Sequence, residues 1–262
     1  MSKRIWRLAA FAFFSFPAVF PVLKNQALAA PSENPKLAVL ITGLSGGYDY
    51  KKSFLGSSRA LHNMLRENGY GEDSIVVFNE QGSVGENGNE LMATRENLES
   101  FFEGQAGKSE REQVVVFIAG HANGHDENAK LHLPGRDVDF KTLISWLDGI
   151  KTKQMIVVLA TPQGEAWMKK FSRPGRVILA GNGLRKHNAL PVMFLKFFPA
   201  ELLTASSTAA EGESAEVSLA DVFLRTHQKV MEWYRTNGLY PTEEPYLEAD
   251  GDGKGIVPPA DE

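Results

Sequence analysis

Five short runs of aliphatic residues constrain the fold of this chain more than any other feature of its sequence. They lie at 37–41, 75–78, 114–118, 155–159 and 176–180. Within each run the apolar residues are nearly continuous and do not alternate with polar ones. That pattern is typical of strands that are buried on both faces of a sheet. The sequence therefore predicts five buried strands.

Amphipathic segments separate and follow these runs. Apolar residues at helical spacing predict helices over 53–68, 90–103, 139–149, 192–203 and 219–234. Since strands and helices alternate, we expect a three-layer α/β/α sandwich with a mostly parallel sheet. The length of 262 residues suits one large α/β domain or two small ones. The stretch over 204–214, rich in Ser, Ala and Glu, predicts a mobile loop.

The first 29 residues have the pattern of a secretory signal peptide. Three basic residues precede an apolar run over 8–23, and Ala27-Leu28-Ala29 offers small residues at the spacing that signal peptidases accept. A membrane anchor is the alternative, but the run is shorter than the roughly 20 residues that span a bilayer, and two prolines interrupt it. The sequence thus predicts export to a periplasmic or extracellular location. Membrane contact would then occur only through an uncleaved signal segment.

Removal of residues 1–29 would make the chain acidic. The whole sequence has 28 basic and 32 acidic residues, and the signal segment holds four of the basic ones and no acid, which leaves a net charge near −8. Such a charge argues against nonspecific binding to nucleic acids or anionic membranes. We expect one domain over 30–242 and a tail over 243–262 that is rich in Pro, Gly and acids and has little structure of its own.

The chain contains no cysteine. This excludes disulfides, thiolate metal sites and cysteine nucleophiles, and we expect neither a cofactor nor a metal ion. Residues 250–255, Asp-Gly-Asp-Gly-Lys-Gly, resemble the start of a calcium loop, because alternate carboxylates can converge on one cation. Lys254 occupies the third ligand position, however, and no Glu follows at the end of the loop. A flexible acidic turn is therefore the favoured interpretation.

Residues that directly follow the strands are the candidates for a functional site, because ligands of open parallel sheets bind at the carboxyl ends of the strands. A Gly-rich turn follows the first run, but Gly43, Gly46 and Gly47 match neither the dinucleotide-binding spacing nor the P-loop. A tight turn is favoured there over a phosphate cradle. His121 follows the third run within a Gly-rich turn, where an imidazole could act as a general base or have a structural role.

Two further features of these strand ends bear on the chemistry. His121 and His125 could form a metal pair, but no third ligand is obvious. The fourth run is followed by Thr161, Pro162 and Gln163, none of which is a good unaided nucleophile at neutral pH. The strand ends therefore offer a base without an evident nucleophile.

Three segments together resemble the legumain family of cysteine peptidases, within the wider caspase-like clan. They are Leu-Ile-Thr-Gly-Leu-Ser-Gly-Gly-Tyr-Asp-Tyr-Lys at 40–51, Phe-Ile-Ala-Gly-His at 117–121 and Val-Val-Leu-Ala-Thr-Pro-Gln-Gly at 157–164. The resemblance spans roughly 36–203 and implies a caspase-like fold. It also implies that His121 stands at the position of the dyad His and Thr161 at that of the nucleophilic Cys.

The resemblance implies a substrate pocket as well. Lys51 falls where the family has an Arg in its specificity pocket, and Gly120 and Gly164 are the further substrate-binding positions. The acidic partner in that pocket falls near Leu55, which is apolar. The nucleophile and the pocket are therefore both altered. A Thr hydroxyl would need a strong base to attack a carbonyl, and Pro162 removes a backbone N–H that could stabilise an oxyanion.

The sequence favours a secreted pseudopeptidase that uses its former active-site cleft to bind a peptide or protein ligand. The alternative is an active hydrolase with Thr161 as nucleophile and His121 as base. A third class is an interaction domain that docks a partner on the helix at 219–234, although covering the sheet is the favoured use of that helix. A cluster of basic residues would be a solvated surface or, near the cleft, an attractor of acidic peptides; it comprises Arg173, Arg176, Arg185 and Lys186.

Overall fold

A central sheet with helices on both faces organises the protein. The computed structural model describes residues 19–20, 36–82, 90–123, 129–162, 164–182, 189–211 and 217–258. The elements in chain order are β1 Val19–Phe20, β2 Leu37–Thr42, α1 Tyr48–Glu67, a 3₁₀ turn Glu72–Ser74, β3 Ile75–Asn79, β4 Glu90–Met92, α2 Arg95–Gln105, β5 Arg111–Ala119, β6 Ala122–Asn123, β7 Lys130–Leu131, β8 Val138–Asp139, α3 Phe140–Asp148, β9 Thr152–Ala160, α4 Gly164–Phe171, β10 Arg176–Ala180, α5 Val192–Glu211, β11 Val217–Ser218, α6 Leu219–Thr236 and β12 Tyr246–Glu248.

The main sheet has seven strands in the order β12-β10-β9-β5-β2-β3-β4. Neighbouring strands are parallel except β12, which runs antiparallel to β10. The five predicted strands are β2, β3, β5, β9 and β10, and they occupy the five interior positions, as expected of strands buried on both faces. The predicted α/β/α architecture with a mostly parallel sheet is confirmed.

The side chains of the strands alternate between two hydrophobic cores, one on each face of the sheet. Along β2, Leu40 joins the core beneath α1, α5 and α6, whereas Val39 and Ile41 join the core beneath α2, α3 and α4. On α6, Phe223 and Val230 are buried in the first core. This confirms that the helix covers the sheet, and burial of each such side chain stabilises the fold by roughly 1.5–3 kcal/mol.

Helix α2 begins later than its sequence pattern predicted. Residues Glu90–Met92 form the edge strand β4, which pairs with β3, so the helix prediction over 90–103 is wrong for them. The helix starts after Thr94, whose side chain accepts a hydrogen bond from the N–H of Asn97. A capping Thr satisfies one of the free N–H groups of the first turn, so it defines where the helix begins.

Helix α5 continues through residues that were expected to form a loop. It extends to Glu211, so the loop prediction over 204–214 is wrong for 204–211. The hydroxyls of Thr204 and Ser206 donate hydrogen bonds to the carbonyls of Ala200 and Leu202, one turn earlier. These side chains are satisfied within the helix, and alanine is a strong helix former, so the composition of the stretch is compatible with a helix.

The carboxyl-terminal segment is also more ordered than expected. Tyr246–Glu248 form β12, and Tyr246 is buried in the core on the α2, α3 and α4 face. The prediction of little structure over 243–262 is therefore wrong for this part. The physical reason is that β10 would otherwise expose an unpaired strand edge, and the antiparallel β12 satisfies its backbone groups.

The predicted signal segment lies outside the described residues except for Val19–Phe20, which pair antiparallel with Val217–Ser218. Among the helices described, none combines the length and the apolar character that crossing a bilayer requires.

Candidate functional site

His121 lies at the carboxyl end of the sheet, two residues after the end of β5. Its Nε2 is 2.9 Å from the carbonyl oxygen of Ser45, and its ring packs edge-on against the rings of Tyr50 and Phe54 at centroid distances of 5.2 and 6.3 Å. A carbonyl oxygen can only accept, so Nε2 carries a proton and donates it to this bond. The half-buried imidazole is therefore fixed in orientation, with Nδ1 left for other contacts.

Glu80 fixes the turn that holds the imidazole. It follows β3, and its Oε2 accepts hydrogen bonds from the N–H and the hydroxyl of Ser45 at 3.1 and 3.0 Å. Its Oε1 lies 3.0 Å from Nζ of Lys51. Burial alone would raise the pKa of Glu80, but the two donors of Ser45 and the ammonium of Lys51 together lower it. Glu80 is therefore a carboxylate that ties the ends of β2 and β3 together.

The environment of Lys51 differs from the one inferred from the sequence. No acidic partner was expected, because the corresponding position near 55 is apolar, yet Lys51 pairs with Glu80 from the next strand. Glu80 was missed even though it directly follows β3, the second of the five predicted strands. The rule that pointed to His121, inspection of the residue after each strand, would also have found it. With its charge paired, Lys51 is oriented by the protein itself.

The glycines around His121 allow close packing of the turns. Gly46 has φ +68°, and a Cβ there would lie 3.2 Å from Nε2 of His121. A Cβ at Gly120 would lie 3.2 Å from the backbone of Gly43. These contacts explain the Gly-rich turn after β2 as a tight turn, the interpretation that the sequence favoured over a phosphate cradle. Gly120, predicted to bind substrate, lies where the turns after β2 and β5 touch.

Gly164, the other glycine predicted to bind substrate, starts α4 and is buried. A Cβ at this position would lie 2.8 Å from the Cβ of Ala180 and 2.8 Å from the carbonyl oxygen of Asn182. The residue thus lets α4 pack directly against the end of β10, which is a structural requirement. His125 and Gln163, named as candidates from the sequence, lie outside the described residues.

Thr161 directly follows β9, the strand adjacent to β5, and Ala119 pairs with Ala160 in the parallel register. The strand ends that carry His121 and Thr161 are thus neighbours, as expected. Thr161 is fully buried, and within the described part of the chain its Oγ1 has no hydrogen-bond partner. The sheet therefore brings the two positions together, but His121 makes no hydrogen bond to the Thr161 hydroxyl.

A cleft of about 450 Å³ opens beside His121. It lies between α1, the start of α5, the end of α6 and the segment that leads to β12. Most of its lining is apolar or aromatic and includes Tyr50, Leu190, Met193, Trp233 and Tyr240. The size falls within the range of about 300–1,000 Å³ that is usual for ligand sites, and such sites are commonly apolar with a few polar groups.

Glu243 supplies a buried acid to the lining of this cleft. Its two oxygens accept the N–H groups of Met193 and Phe194, each at 2.9 Å, in the first turn of α5, and the hydroxyl of Tyr234 donates to it at 3.1 Å. Burial raises the pKa of Glu243 to about 7 although all three donors favour the carboxylate. This role was not predicted, because the sequence pattern placed Glu243 in the acidic tail.

The basic cluster predicted around the fifth strand does not form one surface. Arg176 is buried; its Nη2 lies 2.8 Å from Asp148, and its Nη1 donates to the carbonyl of Phe171. Arg173 also pairs with Asp148, at 3.2 Å. Both precede or begin β10, so they lie at the end of the sheet opposite His121, away from the cleft. Arg185 and Lys186 lie outside the described residues.

Comparison with known proteins supports the architecture. The structure is similar to the crystal structure of the Drosophila initiator caspase Dronc, with a TM-score of 0.50 and 12% sequence identity. The similar region covers 85% of this chain and 82% of the Dronc chain. Likeness at this identity shows the fold alone. No family model matches the sequence, and no curated protein matches it. The chain therefore has a caspase-like fold.

Proposed function

We propose that this chain is a pseudopeptidase of the legumain type that binds a peptide segment in the cleft beside His121. The observation that carries the proposal is the burial of Thr161, whose hydroxyl is inaccessible and has no hydrogen-bond partner among the described residues. A hydroxyl nucleophile must reach the substrate and must be activated by a base within hydrogen-bond distance. Neither condition holds here, and the chain has no cysteine to take its place.

The cleft supports a binding role. It is large enough for one or two amino-acid side chains, and its aromatic and aliphatic lining suits an apolar one. The imidazole of His121 offers a polar group to the cleft at the carboxyl end of the sheet. Tyr240 lines the cleft as well and is almost fully exposed. An exposed aromatic ring can cover a bound side chain at low cost in conformational entropy.

A binding experiment tests this role. Peptides selected from a displayed random library on the immobilised protein are expected to bind Tyr240→Ala at least tenfold more weakly than the unsubstituted protein. Tyr48→Ala is the matched control, because Tyr48 is also strongly exposed but does not line the cleft. Its affinity is expected to be unchanged. Failure to enrich any peptide, or equal binding by the two variants, would contradict the proposal.

The hydrolase alternative predicts a different result. It requires Thr161 to leave the core and to reach His121. We expect no turnover of peptide, ester or amide substrates by the purified protein. Turnover that is lost in both His121→Ala and Thr161→Ala would establish the alternative and reject the pseudopeptidase.

We also propose that the protein is exported. Support comes from the amino-terminal pattern of basic residues, apolar run and small residues at 27–29. Cell fractionation followed by amino-terminal sequencing tests this. The expected product is a periplasmic or extracellular chain that begins at Ala30, and a cytoplasmic chain that keeps residues 1–29 would contradict it.

A further inference from the structure

The cleft beside His121 combines several aromatic rings with one buried acid. Among the described residues that line it, none is Lys or Arg. Four of the lining residues carry a large aromatic ring: Tyr50, Trp233, Tyr234 and Tyr240. The face of an aromatic ring is negative and attracts a cation that lies within about 6 Å of the ring centre. The lining therefore favours a positively charged ligand over a negatively charged one.

Glu243 adds a negative charge that no described basic side chain pairs. Its hydrogen bonds come from backbone N–H groups at the start of α5 and from the hydroxyl of Tyr234, none of which carries a formal charge. The amino end of a helix offers the equivalent of roughly half a positive charge, so it offsets the carboxylate only in part. Glu201, which is similarly buried on α5, differs because Arg225 and Lys229 both pair with it. The ionised Glu243 would therefore be stabilised by a cation that the ligand supplies.

Two basic residues that are next in sequence to the lining have acidic partners of their own. Lys51 pairs with Glu80 at 3.0 Å and does not line the cleft. Arg235, at the end of α6, pairs with Glu232 at 3.9 Å in an exposed contact. The basic residues at 185–186 lie outside the described residues. In the part of the chain that the structure describes, the cleft therefore offers no basic side chain to recognise an acidic ligand.

The imidazole of His121 suits a ligand that donates hydrogen bonds. Its Nε2 proton is committed to the carbonyl oxygen of Ser45, so the neutral ring has Nδ1 left, which can only accept. Ammonium and guanidinium groups carry several N–H donors, whereas a carboxylate only accepts. The acceptor on His121 and the charge of Glu243 thus favour the same class of ligand.

We propose that the cleft selects a peptide residue with a long basic side chain, arginine or lysine. This inference rests on the peptide-binding role proposed above and names the residue that the cleft takes. The aliphatic stem of such a side chain would pack on Leu190 and Met193, while its charged end would lie among the aromatic rings and in the field of Glu243. Arginine is expected to bind more tightly than lysine, because its planar guanidinium stacks on aromatic rings and is more weakly hydrated.

An NMR titration with single-residue probes tests this selectivity. The probes are the N-acetyl amides of arginine, lysine, citrulline and glutamate, and the reporter is the indole N–H of Trp233, which lines the cleft. The titration is made above the pKa of Glu243, which is about 7. Citrulline has the shape of arginine without its charge. We expect the arginine probe to bind about tenfold more tightly than the citrulline probe. The glutamate probe should leave the indole resonance in place.

Variants assign the effect to the acid and to the rings. Glu243→Gln is expected to reduce the preference for arginine over citrulline to less than about threefold. Glu244→Gln removes an acid that does not line the cleft and should keep the full preference. Tyr240→Leu keeps an apolar side chain but removes a ring, so it should weaken binding of the arginine probe about threefold, and Tyr240→Phe should restore it. If Glu243→Gln does not fold, the Tyr240 variants still decide the outcome, since this position is almost fully exposed.

Equal affinity for the arginine and citrulline probes would overturn the inference, because the charge would then contribute nothing. Tighter binding of the glutamate probe would overturn it as well. An unchanged preference in both Glu243→Gln and Tyr240→Leu would place the basic side chain elsewhere on the protein and reject the assigned site. The displayed library separates this failure from failure of the peptide-binding role. Enriched peptides that lack a basic residue and lose affinity for Tyr240→Ala would support peptide binding while rejecting the basic selectivity.

Discussion

His121 is oriented by a backbone carbonyl: its Nε2 lies 2.9 Å from the oxygen of Ser45. Ser45 in turn donates two hydrogen bonds to Glu80. Three neighbouring strand ends, those of β5, β2 and β3, are thus connected through one imidazole, one turn and one carboxylate. The arrangement keeps the proton of the neutral imidazole on Nε2 and leaves Nδ1 as the nitrogen that can accept.

Substitution of Gly46 tests how firmly this imidazole is held. Gly46→Ala places a Cβ 3.2 Å from Nε2 of His121 and also forces a side chain onto a backbone with φ +68°. We expect a loss of stability of more than about 1 kcal/mol. The resonances of the His121 ring nitrogens in NMR spectra should shift because the contact with Ser45 is disturbed.

Gly69→Ala is the matched control for this substitution. Gly69 has φ +79°, but nothing lies within 4 Å of a Cβ built on it. It therefore carries the same kind of backbone strain without the contact to His121. Its stability should fall by about 1 kcal/mol while the imidazole resonances stay in place. If both variants left these resonances unchanged, His121 would not be held by this turn.

The ion pair of Lys51 and Glu80 should stabilise the folded protein, because Glu80 also holds the turn at Ser45 in place. Glu80→Gln is expected to lower the free energy of unfolding by about 1–2 kcal/mol at pH 7, because it weakens charged hydrogen bonds to Ser45. A double-mutant cycle with Lys51→Met should give a coupling of about 0.5–1 kcal/mol. A coupling of zero would show that the two charges act independently.

The same pair has a defined pH dependence. The pKa of Glu80 is lowered in the folded protein, so its contribution is present above its ordinary value and is lost as the pH falls through the lowered pKa. The difference between Glu80→Gln and the unsubstituted protein should accordingly shrink on acidification, as measured by urea unfolding at a series of pH values. A difference that grew toward low pH would contradict the assigned direction.

The sheet was readily predictable because burial on both faces leaves a strong local signal. Each of the five interior strands is a nearly continuous aliphatic run. The edge strands were not predictable, since β4 is only three residues long and largely exposed, and β12 depends on pairing with β10. The spacing of apolar residues does not mark the bounds of helix α4, although Trp167 was expected to pack from a helix face; it stacks on Phe140 of α3.

The candidate site was predictable only in part. His121 was found because it follows a strand, and Glu80 could have been found in the same way. The partners of both residues come from segments that meet only in the folded protein, so no local sequence pattern predicts these contacts. Glu243 is the clearest case. Its acid-rich neighbourhood in the sequence indicated an exposed tail, whereas two backbone N–H groups at the amino end of α5 bind its buried carboxylate. Contacts over long sequence separations decide such cases.

Replacing Thr161 tests whether its hydroxyl has any function. Thr161→Val keeps the shape of the side chain and removes a buried Oγ1 that has no partner among the described residues. We expect the free energy of unfolding to rise by about 1 kcal/mol, since an unsatisfied buried polar group is removed. Thr226→Val is the control: this Thr is equally buried, but its hydroxyl donates to the carbonyl of Val222 at 2.8 Å. It should lose about 1 kcal/mol. Equal destabilisation of both variants would mean that the Thr161 hydroxyl is bonded after all.

The stability of the protein should depend on the ionisation of Glu243. Its pKa is raised by burial from the ordinary value of 4.5 to about 7. The folded protein therefore holds this proton more tightly than the unfolded chain does. The sign follows from linkage: the stabilisation is fully present below pH 4.5 and is lost as the pH rises toward 7. Each pKa unit corresponds to about 1.4 kcal/mol, so the loss amounts to about 3 kcal/mol at most.

Glu243→Gln removes this titration and isolates its effect. Urea unfolding between pH 5 and about 8 should show a smaller decline in stability for the variant than for the unsubstituted protein. Gln keeps one acceptor for the N–H groups of Met193 and Phe194 but places an NH₂ against the other, so the variant should be less stable at low pH. Glu244→Gln, at the neighbouring position, is the control for the loss of one acidic side chain. A pH profile of stability identical for Glu243→Gln and Glu244→Gln would refute the raised pKa.

Ionised Glu243 gives the cleft a negative charge. Peptides with a basic side chain should therefore gain affinity over the same pH range.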